Sequence, residues 1–206
     1  MIYNNPFEMG RITYSYVWWD NAFTEDELKK IENVCEKEEF EKATTVGQKT
    51  QDETEKVRRS KIKFFDRIEH TSWIFDRFNN ICESLNEQFY RFDLYGYNKF
   101  QYTIYNSENN GMYDWHMDTI LNEVTDDVSN NYTRKLTMVM LLSEPEKDFT
   151  GGEFQLNLGK EENPTIPYFN KGKIIAFPSF MIHRVKPVLT GIRKSIVIWV
   201  EGPKFR

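Results

Sequence analysis

From residue 99 to residue 202 the chain is a succession of short β-forming runs cut by turn-rich pieces, and this limits its fold more than any other feature. The runs are KFQYTIYN (99–106), YDWHMD (113–118), RKLTMVMLLS (134–143), GGEFQLNL (151–158), GKIIAFP (172–178), MIHRVKPV (181–188) and RKSIVIWVEG (193–202). The pieces between them include NSENNG, SEPEKDFTGG, GKEENP, NKG and LTG, all rich in residues that favour turns. Many short strands at this spacing close into a sandwich or barrel. A double-sheet jelly roll, the double-stranded β-helix, suits their number.

The first half reads differently. RITYSYVWWD (11–20) is a strand by its β-branched and aromatic content. Thr24 and Glu27 form a capping box ahead of a helix carrying Leu28, Ile31, Val34 and Cys35, expected to end near residue 42. The stretch 43–59 lacks periodicity and reads as a loop. After the strand SKIKFF, a second helix shows Ile74, Phe78, Ile81, Cys82, Leu85 and Phe89 at three- and four-residue steps. The fold expected is therefore mainly β with bracing helices. A single domain over 1–206 has residues 1–95 as helical and strand support and 96–206 as the jelly-roll core.

Charge and composition exclude several classes. A net charge of −5 disfavours a protein that works by gripping nucleic-acid phosphates. The basic run KVRRSKIKFF (56–65) reads as a strand with a solvated charged face. Two cysteines, Cys35 and Cys82, are too few for a disulfide framework and sit at apolar helix positions, so buried thiols are expected. The opening residues lack a signal-peptide pattern, and no run of about eighteen apolar residues offers a membrane span. A cytoplasmic setting without a membrane partner is the expectation.

The chemistry is concentrated in few residues. Of three histidines, His116 lies in DWHMD with Asp118 two positions on, so on a strand both project from one face and Met117 from the other. His183, 183 − 116 = 67 residues later, is positioned to return beside them from another strand. Two imidazoles and one carboxylate suit non-haem Fe(II) and leave coordination positions open. Arg193 follows His183 by ten residues. If 181–188 and 193–202 form a hairpin turning near Val188, Arg193 faces His183 directly. His70 sits near a helix start and reads as structural. The polar stretch TILNEVTDDVSNNYT (119–133), directly after Asp118, reads either as a surface loop or as a lid over the site.

These residues resemble a known family. Gln101, Tyr105, YDWHMD, RKLTMVMLLSEP, GGEF (151–154), GKIIAFPSFMIHRVKPV and GIRKSIVIW are similar, in order and spacing, to the catalytic domain of 2-oxoglutarate/Fe(II) dioxygenases of the prolyl 4-hydroxylase and PKHD-type branch. RRSKIKFF and the helix beginning SWIFDRF resemble that branch's N-terminal support. The resemblance implies iron ligands at His116, Asp118 and His183. It also implies that Arg193 holds the distal carboxylate of 2-oxoglutarate, that Tyr105 lines the cosubstrate pocket, and that Ser195 adds a hydroxyl. Lys194, on the other strand face, should point away. The implied cofactors are Fe(II), 2-oxoglutarate and O2, with L-ascorbate to keep the iron reduced. Arg193 stands where prolyl 4-hydroxylases usually carry lysine and PKHD-type proteins arginine.

Three readings follow. One is hydroxylation of a prolyl or other residue in a peptide or protein. Another is hydroxylation of a free amino acid or small metabolite. The last is a non-enzymatic, cupin-like metal-binding jelly roll, although cupins favour an HxH pair with a glutamate nearby, and here the pair is HxD with Glu123 the next glutamate.

Overall fold

Strand alternation in this chain builds two antiparallel sheets that share an apolar interior. The computed structural model describes residues 14–37, 41–42, 50–119, 132–159, 166 and 169–204. Its strands are β1 (Val17–Trp19), β2 (Glu41–Lys42), β3 (Arg58–Arg59), β4 (Lys61–Asp66), β5 (Lys99–Asn106), β6 (Met112–His116), β7 (Tyr132–Leu141), β8 (Phe149–Gly151), β9 (Phe154–Leu156), β10 (Ile174–Pro178), β11 (His183–Val185) and β12 (Val188–Pro203). The larger sheet runs β1-β10-β7-β12-β5-β4-β2, with β8 also paired to β12; the smaller runs β3-β6-β11-β9. This is the double-stranded β-helix expected from the strand pattern.

Two cores follow from that arrangement. Helices α1 (Glu25–Glu36) and α3 (Ser72–Leu85) pack Leu28, Ile31, Ile74 and Phe78 against Phe100, Tyr102, Met138, Ile196 and Ile198 on the outer face of the larger sheet. The opposite face carries Val139, Ile175 and Phe177, which meet Phe154, Leu156 and Val185 of the smaller sheet. Central strands covered on both faces read as near-continuous apolar runs, which accounts for LTMVML in β7. Cys35 and Cys82 are free and buried in the helical core. Among the described residues no helix is long and apolar enough to cross a membrane.

The first half departs from its expected course in several places. The opening strand, expected over 11–20, is confined to Val17–Trp19 among the described residues. The helix expected to carry Phe89 is α-helical only to Leu85, with Asn86–Tyr90 a π-helical turn. Helix α1 has the predicted Thr24–Glu27 capping box but stops at Glu36, and Glu41–Lys42, expected inside it, instead pair with Ile62 and Lys61 at the edge of the sheet. Within the supposed loop 43–59, residues 50–59 are ordered as helix α2 (Gln51–Val57) and strand β3, while 43–49 lie outside the described residues. The helix starts with a second capping box, Thr50 Oγ1 accepting from Glu53 N at 3.2 Å and Glu53 Oε2 from Thr50 N at 3.2 Å. That T-x-x-E signal was present in the sequence, but a seven-residue helix is too short to display an apolar stripe. Nor is the basic run a wholly solvated face: Arg58 and Lys63 are buried, Lys63 beside the Phe65 ring at 4.9 Å.

Candidate metal centre

The open end of the inter-sheet space gathers the residues that carry chemistry. His116 ends β6, Asp118 follows in a bend, and His183 opens β11, where it pairs directly with His116. One ligand atom from each of the three lies within 4.8 Å of the others. His116 Nε2 lies 3.9 Å from Asp118 Oδ1, and His183 Nε2 lies 3.5 Å from Asp118 Oδ2. Asp118 leaves the strand, so simple alternation does not place it. Its amide and that of Thr119 both donate to the Ser179 carbonyl, which draws it beneath the histidines.

Each imidazole is oriented by its own backbone. His116 Nδ1 lies 2.7 Å from the Asp114 carbonyl and His183 Nδ1 2.9 Å from that of Met181. A carbonyl only accepts, so the ring proton sits on Nδ1 and Nε2 presents its lone pair to the shared point. Burial, reinforced by the neighbouring His183, pushes the His116 imidazole down to about 3, which keeps it neutral at physiological pH. Burial alone would raise Asp118, but His183, His116 and the Thr137 hydroxyl outweigh it and hold the carboxyl below its usual range. Two neutral imidazoles and one carboxylate fit a divalent transition metal such as Fe(II).

Arg193 reaches this point by a different route from the one the hairpin expectation supposed. His183 pairs with His116 and Leu156 in the smaller sheet, whereas Arg193 pairs with Tyr105 in the larger. They are not cross-strand neighbours. Between them Pro187 has no N–H to donate, and the chain crosses from one sheet to the other at Lys186–Pro187. Arg193 therefore looks at the triad from the opposing sheet. It is 1% exposed, its Nη1 donates to Ser195 Oγ at 3.2 Å, and its guanidinium lies 5.4 Å from the centre of the Tyr105 ring. Burial lowers its pKa to about 10, still cationic at neutral pH. Lys194 points the other way, 3.5 Å from Glu32 of α1.

The GGEF motif serves this arrangement. Gly152 has a φ of +62°, and a Cβ there would lie 3.0 Å from Arg193 Cδ and from Val188 Cγ2. The arginine's stem occupies the space a side chain would need.

Other residues of the pocket escaped the sequence reading. Its lining includes Arg58, Tyr113 and Trp199 as well as His116, Asp118, His183, Tyr105, Arg193 and Ser195. Trp199 was legible in principle, since 193, 195, 197 and 199 alternate on one strand face. Tyr113 was hidden by an extra residue in β6, which brings it to the same side as His116 with ring centres 3.4 Å apart. Arg58 stacks 4.5 Å above Tyr113. His70 is exposed at the start of α3, its carbonyl accepting from Trp73 Nε1, and stays outside the site. Residues 120–131, most of the stretch read as a lid or surface loop, lie outside the described residues.

Comparison with known proteins agrees with this geometry. Residues 100–201 match the model of the 2OG-Fe(II) oxygenase superfamily. A PKHD-type hydroxylase of Colwellia psychrerythraea is 39% identical over 62 residues, which cover 30% of this chain and 27% of that protein. Another from Synechococcus sp. (strain CC9605) is 32% identical over 90 residues, covering 44% and 36%. The matched stretches thus span about a third of those relatives' length. Among solved structures, a Pseudomonas putida prolyl-4-hydroxylase superposes with a TM-score of 0.67 at 18% identity, covering 94% of each chain. A prolyl hydroxylase from Trichoplax adhaerens, in complex with a hypoxia inducible factor oxygen degradation domain peptide fragment, gives 0.68 at 16% identity, covering 90% of this chain and 83% of that one. At such identities the structural likeness speaks for the fold.

Proposed function

Because the chain belongs to the 2OG-Fe(II) oxygenase superfamily, we propose that it is a 2-oxoglutarate-dependent hydroxylase acting on a C–H bond of a prolyl or other residue in a peptide or protein. The observation that carries this reading is the meeting of the His116–Asp118–His183 cluster with the buried cation of Arg193 in one pocket. The reading treats 1–206 as one domain, with 1–95 supporting a catalytic core in 96–206. A peptide or protein is the first substrate class to test and a free amino acid or small metabolite the second; a solved neighbour of the same fold is a prolyl hydroxylase in complex with a peptide fragment.

In this reading His116, Asp118 and His183 hold the iron. With Fe(II) bound, the site supplies oxidative decarboxylation of 2-oxoglutarate by O2, giving succinate and CO2 and inserting the second oxygen atom into the substrate C–H bond. The chain's residues do the rest by position and electrostatics. Arg193 takes the distal carboxylate in a low-dielectric pocket, where its planar fork binds both oxygens. Tyr105 stacks beneath the guanidinium and Ser195 fixes its rotation. Val139, Phe154, Val185 and Val197 line the pocket between and keep bulk water away from the reacting atoms.

The test is succinate release from 2-oxoglutarate by protein loaded anaerobically with Fe(II) and then exposed to O2, with ascorbate present. Proline-containing peptides are expected to stimulate turnover and gain 16 Da, whereas free amino acids should not. Turnover that persists in His116→Ala would refute the site. Stimulation by free amino acids alone would move the reading to a small-molecule hydroxylase.

A further inference from the structure

Asp118 is restrained through both its backbone and its side chain, and the side-chain restraint is directional. Thr137 Oγ1 lies 2.8 Å from Asp118 Oδ2 and 3.0 Å from Ser179 Oγ, and both hydroxyl residues are fully buried. An ionised carboxylate has no proton to give, so the Thr137 hydroxyl donates to Oδ2. Its proton is then committed, and Ser179 must donate to Thr137. The chain of hydrogen bonds therefore runs one way, from Ser179 through Thr137 to Oδ2. Ser179 also receives the Asp118 and Thr119 amides on its carbonyl, at 2.9 and 3.0 Å. One residue between β10 and β11 holds both the backbone and, through Thr137, the carboxylate of Asp118.

We propose that the Ser179–Thr137 pair is a denticity lock: it reserves Oδ2 and leaves Oδ1 as the single donor of Asp118 to the metal. The inference rests on the Fe(II)/2-oxoglutarate reading above. Its weight comes from counting coordination positions on an octahedral metal. The triad takes three and a keto acid chelating through two oxygens takes two, so one remains for a diatomic molecule. A carboxylate bound through both oxygens takes that last position. Oδ2 lies 3.5 Å from His183 Nε2, so a second bond to a metal held by that nitrogen is within reach. A buried carboxylate oxygen stripped of its donor is driven to find another partner. Thr137 denies it that choice, which makes it a positioning residue, as outer partners of metal ligands commonly are.

The test uses nitric oxide as a probe of the sixth position on the anaerobic Fe(II)·2-oxoglutarate protein, read by its spin-3/2 paramagnetic resonance signal. Thr137→Val is expected to bind Fe(II) and 2-oxoglutarate within about threefold of wild type while nitric oxide affinity falls at least tenfold. Thr137→Ser, which keeps the hydroxyl, should restore wild-type binding. Ser179→Ala, which removes only the donor behind Thr137, should fall between. Wild-type nitric oxide affinity in Thr137→Val overturns the lock, as does equal damage in Thr137→Val and Thr137→Ser, which would mark a packing role. Failure of the wild-type protein to bind Fe(II) or 2-oxoglutarate overturns the metal reading itself, and is told apart because it precedes any comparison of variants.

Discussion

Arg193→Met should make the ligand-free protein more stable and the cosubstrate complex much weaker. Arg193 is a fully buried cation, and among the described residues no ion pair joins it to a carboxylate. Its pKa falls from 12.5 to about 10, with burial the dominant cause. Such a drop corresponds to roughly 3 kcal/mol against the charged form, present throughout the neutral range because both values lie well above pH 7. Stacking on Tyr105 and the bond to Ser195 are lost in the variant, so about 1–2 kcal/mol of stabilisation should survive. For a chain of this size that is a rise in Tm of roughly 2–8 °C. Charge-assisted bonds to the distal carboxylate contribute about 1.5–3 kcal/mol, so 2-oxoglutarate affinity should fall at least about tenfold. Thermal melts of metal-free protein give the first number, and calorimetric titration of 2-oxoglutarate into the anaerobic Mn(II) form gives the second. A variant that melts lower than wild type and binds 2-oxoglutarate equally well would refute both the burial argument and the assignment of Arg193.

Three further outcomes are expected. Asp118→Ala should lose at least about a hundredfold in Co(II) affinity, followed by its visible absorption, while circular dichroism shows the fold retained, because Asp118 is the cluster's sole anion. The metal-free protein should lose stability as pH falls. The His116 imidazole is neutral in the fold down to about 3, whereas the unfolded chain takes up its proton near 6.5, so the unfolded state binds more protons between those values. That amounts to about 2 kcal/mol by pH 5, and His116→Asn should flatten this part of the Tm-versus-pH curve. Gly152→Ala, at positive φ and 3.0 Å from the Arg193 stem, should destabilise by about 1–3 kcal/mol and weaken 2-oxoglutarate binding, measured by denaturant melts and calorimetry.

Much of this protein was legible along the chain. Period-two alternation and turn chemistry are local, so β5 begins and ends at the residues expected, Lys99 and Asn106. The Thr24 capping box, the buried cysteines and the outward turn of Lys194 are local in the same sense. Alternation also put Arg193 and Ser195 on one face, where they hydrogen-bond. Residue type and order picked out His116, Asp118 and His183 as candidates, because few side chains can ligate a transition metal and this chain has only three histidines, and the fold brings one ligand atom of each within 4.8 Å of the others.

What depended on tertiary structure was every relation between strands that sequence order does not dictate. A proline-bounded segment reads equally well as a hairpin turn or as a crossover between sheets, and at Lys186–Pro187 it is a crossover. That placed Arg193 opposite the triad on the facing sheet, where it can hold the far end of a molecule lying between them. An extra residue in β6 reversed the facing of Tyr113 and brought it onto His116, since one inserted residue flips all that precede it. Thr137 and Ser179 carry no signal in a run of apolar strand residues; only packing of β7 beside the turn after β10 puts their hydroxyls in line with Asp118. Side-chain chemistry is a property of the residue, but which lone pair meets which proton is a property of the assembled sheets.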